Sequence, residues 1–268
     1  MKAPSVRALG EVFSIVRCGT CGFLWTKNPP DERSIGRYYD TADYIPHSDR
    51  MPPIFRLIRW LRNTAKCRML GAKQGLVVDI GCGNGTFLME AKRRGWKTLG
   101  VDPVENARKL CSAAGIDAIM PAEMTNIPAA SADVVTLWHA LEHVHDLSGT
   151  LTQCRRILRS NGSLLVGVPN IASPLAAAYG QDWAGLDMPL HLWHFTPVTM
   201  EKILRSHGFT SPEIRPTWTD DLISAILSEK FAQGFFVRGV VRGIVSAFIG
   251  WRSPGRAACP VYRFTHRS

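Results

Sequence analysis

A chain of 268 residues with 46% hydrophobic and 20% charged side chains is long enough to bury a full core, and it suits one main α/β domain with additions. No stretch reaches about 18 uninterrupted apolar residues and the N-terminus, "MKAPSVRALGEVFSIVRC", lacks the apolar run of a signal peptide, so the expectation is a cytoplasmic protein without a spanning helix. Seven scattered cysteines argue against a disulfide framework, and the net charge of +10 gathers before residue 76, where 13 Lys and Arg meet 6 Asp and Glu, while residues 76–170 balance at 9 against 9.

In chain order, the first feature is a single C-x-x-C knuckle, Cys18 and Cys21. A closed structural zinc site takes four ligands, so no metal is assigned and the pair reads as two free thiols in a turn. Tyr38, Tyr39 and Tyr44 follow, and then "PPIFRLIRWLRNTAKCRML" predicts a helix over 52–70. Arg56, Arg59, Arg62 and Lys66 recur on one stripe of it, opposite Ile54, Leu57, Ile58, Leu61 and Ala65. The basic stripe reads as a solvated face, with contact to a phosphate-bearing or membrane-borne substrate as the functional alternative.

From Leu76 the chain alternates β-branched runs with helical stretches, the pattern of βαβ units on a parallel sheet. "LVVDI", "KTLGVD", "DAIM", "ADVVTLW" and "SLLVGVPN" are the expected strands; "TFLMEAKRRG", "VENARKLCSAAG" and "LSGTLTQCRRILRS" are the expected helices, the first two closed by Gly95 and Gly115. Beyond them "TPVTMEKILRSHGF" predicts another helix with Pro197 in its first turn, and "PEIRPTW" and "PVYRFTH" two last strands. Between those strands lies an apolar and basic stretch, Leu222 to Trp251, read as a lid over an acceptor pocket, an interfacial helix or a dimer contact.

The first strand runs into "GCGNG", with Gly81, Gly83 and Gly85 at every second position. Glycine there allows a sharp turn and a closer ligand approach than a Cβ would permit. The dinucleotide fingerprint is G-x-G-x-x-G, but Thr86 occupies its third glycine position and Asp79 precedes the loop by two residues. A carboxylate there repels a pyrophosphate and suits a cationic ligand.

This arrangement resembles motif I of the Rossmann-like class I S-adenosylmethionine-dependent methyltransferases. The resemblance implies a three-layer α/β fold with a mostly parallel seven-stranded sheet whose last strand is antiparallel. It implies S-adenosyl-L-methionine as cofactor, with the Gly81, Cys82, Gly83 and Gly85 backbone along its methionine and ribose and Asp79 orienting the ammonium end. Asp102, ending "LGVDP", matches the carboxylate that takes the ribose hydroxyls, and Glu123 and Met124 match the adenine contacts. His139, Glu142, His143 and His145 leave the fourth strand where that family approaches the methyl-transfer centre, His139 on the cofactor side and His145 at the surface. "RCGTCGFLW" resembles half of the zinc ribbon that precedes one subgroup, its other half expected upstream of Met1 or lost. The tyrosines after it stand where that subgroup covers the cleft. "MPLHLWHFTP" resembles the subgroup's stretch after the fifth strand, which brings His191 and His194 toward the acceptor.

The domain organisation that follows is an N-terminal segment over 1–50 and a methyltransferase domain over 51–268, with core 75–216, cap insertion 220–255 and last strand 259–266. A hydroxyl acceptor needs a general base, for which His191 and His143 are the candidates. The expected acceptor is a small molecule, a glycan or a lipid-linked compound, with peripheral membrane contact through 52–70 or 222–251. An RNA methyltransferase using the basic helix is the alternative among enzymes, opposed by the lack of an N-P-P-Y-like tetrapeptide and of a recognisable RNA-binding module. A catalytically silent, membrane-associated scaffold is the alternative outside them.

Overall fold

In a computed structural model, residues 2–4, 11–39, 53–72 and 74–266 are described. Tyr44 lies outside them, as does the side chain of Tyr39. The N-terminal strands Lys2–Pro4 (β1), Val12–Arg17 (β2) and Leu24–Thr26 (β3) form an antiparallel sheet, joined at β3 by Trp193–His194 (β9) from much later in the chain. The knuckle Cys18–Cys21 makes the turn between β2 and β3, both thiols free. A short helix, Gly36–Tyr39 (α1), follows.

The expected βαβ body is present. Leu76–Ile80 (β4), Lys97–Val101 (β5), Ala118–Ile119 (β6), Ala132–Trp138 (β7) and Leu158–Gly167 (β8) run parallel in the order β8-β7-β4-β5-β6. Glu213–Arg215 (β10) and Val261–Thr265 (β11) extend the sheet beyond β8, with β11 antiparallel to both neighbours. Alternate residues of each strand feed opposite layers, as the two-residue period requires. Val78, Leu137, Leu164 and Phe264 pack with Leu151 and Leu204, whereas Val77, Val134, Leu165 and Val261 pack with Leu88 and Leu70.

The helices supplying those layers are Pro53–Met69 (α2), Thr86–Arg93 (α3), Glu105–Ala113 (α4), Leu147–Ile157 (α5), Pro174–Tyr179 (α6) and Pro197–Ser206 (α7). Asp146 caps α5 by accepting the Gly149 amide, and Thr196 caps α7 through the Thr199 amide. The expected helix through Ser160 is shorter: α5 stops at Ile157 because Leu158 already pairs with Ala132 in the sheet.

Two expectations change. The stripe of α2 read as solvated turns inward in its second half, with Lys66 buried and Arg62 half-buried, while Leu57 and Trp60 face outward. The inner surface carries buried carboxylates, Asp79 and Asp220, which favour cations over apolar side chains there. The apolar stretch before β11 forms a helical hairpin, Trp218–Phe231 (α8) and Phe236–Arg252 (α9). α8 starts at Trp218, inside the segment expected to be a strand, because Pro216 ends β10. α9 packs with its small residues inward, Gly239, Gly243, Ser246 and Gly250, and leaves Val237, Val241, Ile244, Val245, Phe248 and Trp251 more than half exposed. Among the described residues, no helix is long and apolar enough to cross a membrane.

Candidate active site

The loop after β4 is a left-handed turn at all three glycines, with φ of 75° at Gly81, 54° at Gly83 and 74° at Gly85. Packing alone demands two of them: a Cβ on Gly81 would lie 2.5 Å from the Ala140 Cβ, and one on Gly85 2.9 Å from the Cys111 Sγ. A Cβ on Gly83 would meet nothing within 4 Å. Its conformation therefore serves an open space in front of the loop. Cys82 turns its thiol away beneath the loop, near the Cys111 thiol.

Carboxylates flank that space. Asp102 follows β5 and accepts the Gly83 amide at 2.8 Å and the Val104 amide at 2.9 Å. Burial raises its pKa and these bonds oppose the rise. Asp79 is buried and accepts the Thr136 hydroxyl at 2.5 Å; burial pushes its carboxyl up to about 7 against that bond and the nearby Lys66 charge. The Lys66 ammonium lies 4.7 Å from the centroid of the Trp138 ring, and burial together with Arg62 brings it down to about 8. After β6, Glu123 accepts the Met120 amide and Met124 is buried, its carbonyl held by Arg156. The structure thus brings Asp79, the glycine loop, Asp102, Glu123 and Met124 to successive strand ends, the edge at which open α/β sheets bind ligands.

The end of β7 carries the second half of the site. His139, at φ 54°, places Nδ1 3.4 Å from Glu142 Oε1 and Nε2 3.8 Å from Asp220 Oδ2. Burial opposes its charge, yet the two carboxylates lift it to about 9. Glu142 is fully buried, and neither carboxylate oxygen has a hydrogen-bond partner among the described residues. His191 places Nε2 4.0 Å from Glu142 Oε1, and the His143 and His191 rings meet edge to face at 4.7 Å between centroids. His143 Nδ1 lies 3.0 Å from the Leu190 carbonyl and His191 Nδ1 2.9 Å from that of Gly185. A carbonyl only accepts, so each ring carries a proton at Nδ1. Burial and the neighbouring His191 hold His143 down at about 4, neutral near pH 7.

His194 stands apart. Its Nε2 lies 3.0 Å from the Thr26 hydroxyl in the N-terminal sheet, where it is buried, and burial lowers it to about 3. His145 contacts the Pro30 carbonyl at 3.1 Å. Tyr38 packs with Ile35 on Leu190 and Leu192, so the N-terminal segment supports the loop that bears His191.

Sequence reasoning did not single out Thr136, Trp138 or Asp220 as site residues, and it read Lys66 only as part of a solvated or substrate-contacting basic stripe. Asp220 left a signal, since "TDD" at the head of an apolar run is a helix-start pattern, and it placed that carboxylate at the N-terminus of α8. Thr136 and Trp138 read only as strand residues.

Residues 55–212 match a family model described as a methyltransferase domain. The chain is 28% identical over 159 residues to the mitochondrial ubiquinone biosynthesis O-methyltransferase of Homo sapiens, covering 53% of this chain and 42% of that one. It is 26% identical over 198 residues to the ubiquinone biosynthesis O-methyltransferase of Rhodopseudomonas palustris strain BisB5, covering 65% and 78%. The match therefore spans less than half the length of the human relative. Among solved structures, a SAM-dependent methyltransferase from Archaeoglobus fulgidus superposes with a TM-score of 0.54 at 19% identity, covering 77% of this chain and 94% of that one. Phosphoethanolamine N-methyltransferase 2 of Haemonchus contortus, in complex with S-adenosyl-L-methionine, does so at 0.52 and 16%, covering 78% and 53%.

Proposed function

From the premise that the chain belongs to the methyltransferase-domain family and is an S-adenosylmethionine-dependent methyltransferase, we propose that it methylates a hydroxyl of a small acceptor carried on or dissolved in a lipid surface. The observation that carries this reading is the outer face of α9, with Val237, Val241, Ile244, Val245, Phe248 and Trp251 exposed and the exposed Arg252 at its end, while Arg238 and Arg242 pair with Glu229. Apolar side chains enter the acyl boundary while Arg252 meets anionic headgroups, the composition of an interfacial helix. The relatives named for O-methylation in ubiquinone biosynthesis support an oxygen nucleophile and an apolar acceptor.

In this reading the open space before Gly83 receives the cofactor, which supplies a methyl group on a sulfonium. The Gly81, Cys82, Gly83 and Gly85 backbone would hold its methionine and ribose, Asp79 the ammonium, Asp102 the ribose hydroxyls, and Glu123 and Met124 the adenine. A cationic ligand suits this set, since Asp79 and Asp102 are both buried carboxylates. His139 separates the cofactor from the acceptor side, where the hydroxyl meets His143 and His191. Because methyl transfer is an in-line displacement, alignment in a dry cleft does most of the work. α8 helps to exclude water by laying Asp220 against His139. The inward turn of Arg62 and Lys66 removes them from the basic surface that an RNA partner would use.

The test is incubation with methyl-labelled cofactor and fractionated cell extract. Label is expected in the lipid-soluble fraction, with Phe248→Asp/Trp251→Asp reducing both labelling and co-sedimentation with anionic vesicles. Label confined to RNA, or to water-soluble molecules without vesicle binding, overturns the reading.

A further inference from the structure

We propose that Glu142, His143 and His191 form a binding site for a divalent transition-metal cation of the zinc type, against which the acceptor's oxygen is held; the site's role rests on the hydroxyl-acceptor reading above. Each of the three side chains offers one ligand atom, and these atoms lie within 4.8 Å of one another. Zinc about 2.1 Å from each of three tetrahedral ligands would set them about 3.4 Å apart, so small side-chain adjustments complete the site. Two imidazoles and one carboxylate are a donor set for zinc and its first-row neighbours rather than for magnesium or calcium, which prefer oxygen alone.

Two further observations point to a cation. Glu142 is a fully buried carboxylate whose two oxygens make no hydrogen bond among the described residues, an arrangement that is costly unless a positive partner compensates it. His139 supplies only part of that compensation, because it stands between Glu142 at 3.4 Å and Asp220 at 3.8 Å. Second, His143 and His191 are each fixed through Nδ1 by a backbone carbonyl, the outer-shell bond that sets the tautomer of a metal-binding imidazole.

The chemistry follows directly. The acceptor hydroxyl, on meeting the cation, loses its proton to solvent water that leaves before the methyl group is transferred. Its oxygen lone pair then forms the new C–O bond, and the C–S electron pair returns to the sulfur, which becomes a neutral thioether. Here the two histidines hold the metal and neither is the base that removes the proton.

The test uses the 268-residue chain carrying Cys18→Ser and Cys21→Ser, so that these two thiols bind no zinc. After chelator treatment, zinc is titrated against a chromophoric competitor and thermal unfolding is followed in parallel. The expected result is one zinc per chain with a raised Tm. Glu142→Gln and His191→Ala are each expected to weaken binding by more than about 100-fold, beyond the loss caused by an outer-shell partner. His143→Gln, at a partly exposed position, repeats the test should either buried variant fail to fold. Calorimetry with S-adenosylmethionine alone is expected to be unchanged in the variants. No zinc bound by a chain that still binds the cofactor, or equal binding by the variants, overturns the metal site and leaves the methyltransferase reading standing. Zinc bound at the triad with label entering only nitrogen acceptors upholds the site and overturns the hydroxyl reading.

Discussion

Gly81 and Gly83 share a left-handed backbone but differ in what surrounds them, so replacing each with alanine separates folding from ligand binding. Gly81→Ala combines the strain with a Cβ 2.5 Å from that of Ala140, and is expected to cost about 2 to 3 kcal/mol of stability in urea unfolding. Gly83→Ala carries the strain alone, about 1 kcal/mol, while its methyl enters the space assigned to the cofactor. Calorimetry is expected to show the stability of Gly83→Ala nearly kept and its cofactor affinity reduced about tenfold or more. Asp79 adds a pH signature. Its carboxyl is raised from 3.8 to about 7 in the folded chain, so the proton it holds favours folding most below pH 3.8, and that contribution fades as pH rises through 7. A bound ammonium favours the ionised form, so cofactor binding is expected to release a proton between about pH 4 and 7 and to tighten as pH rises through that window. Titration in two buffers of different ionisation heat measures the release, which Asp79→Asn should abolish. Asp79 and the glycines were legible because spacing and residue type carry their roles; Lys66 was not, because its charge suggested the surface and only the tertiary fold supplies the buried acids that draw it in.

At the scale of elements, α9 inverts the usual amphipathic helix. The glycines that weaken it in isolation are the residues that let it approach α8: a Cβ on Gly243 would lie 2.8 Å from the Leu222 Cα, and one on Gly239 3.0 Å from the Ile226 Cα. The sequence marks Leu222 to Trp251 only as an apolar and basic stretch, and the ordinary rule buries the large apolar residues of a helix. Direction was illegible because the deciding residues have no side chains to read. Gly243→Leu is expected to force the hairpin apart and cost about 2 kcal/mol or more in chemical unfolding, whereas Val241→Ser on the outer face should change stability little. Asp221 fastens the same hairpin to the sheet, accepting the Ser246 hydroxyl at 2.7 Å and the Cys259 amide at 3.0 Å. Asp221→Ala leaves that buried amide without its acceptor and is expected to cost about 2 kcal/mol.

Over the whole molecule, the parallel core followed from local patterning, since each βαβ unit announces itself by short β-branched runs and glycine stops. The N-terminal sheet did not, because β9 pairs with residues 168 and 170 positions earlier in the chain and is only two residues long, too short for any periodic signal. The placement of the outer face of α9 makes a whole-molecule prediction about salt. Binding to anionic vesicles is expected to weaken between low and physiological ionic strength and then level off, because arginine attraction is screened while apolar insertion is not. Sedimentation across a salt series measures it; complete loss at high salt would mean that charge alone holds the protein to lipid.

Thr26 ties the beginning of the chain to its acceptor side, donating its hydroxyl to the His191 carbonyl while its amide bonds the carbonyl of Leu192, whose own amide bonds Glu142. A transplant of residues 55–212 into another host would carry the glycine loop and the residues proposed to hold the cofactor, but leave His191 without the strand that braces it. In the proposed reading donor recognition is modular and portable, whereas acceptor recognition draws on the N-terminal segment as well, so chimeras that exchange specificity among related enzymes are expected to need residues 11–39 moved together with 183–195.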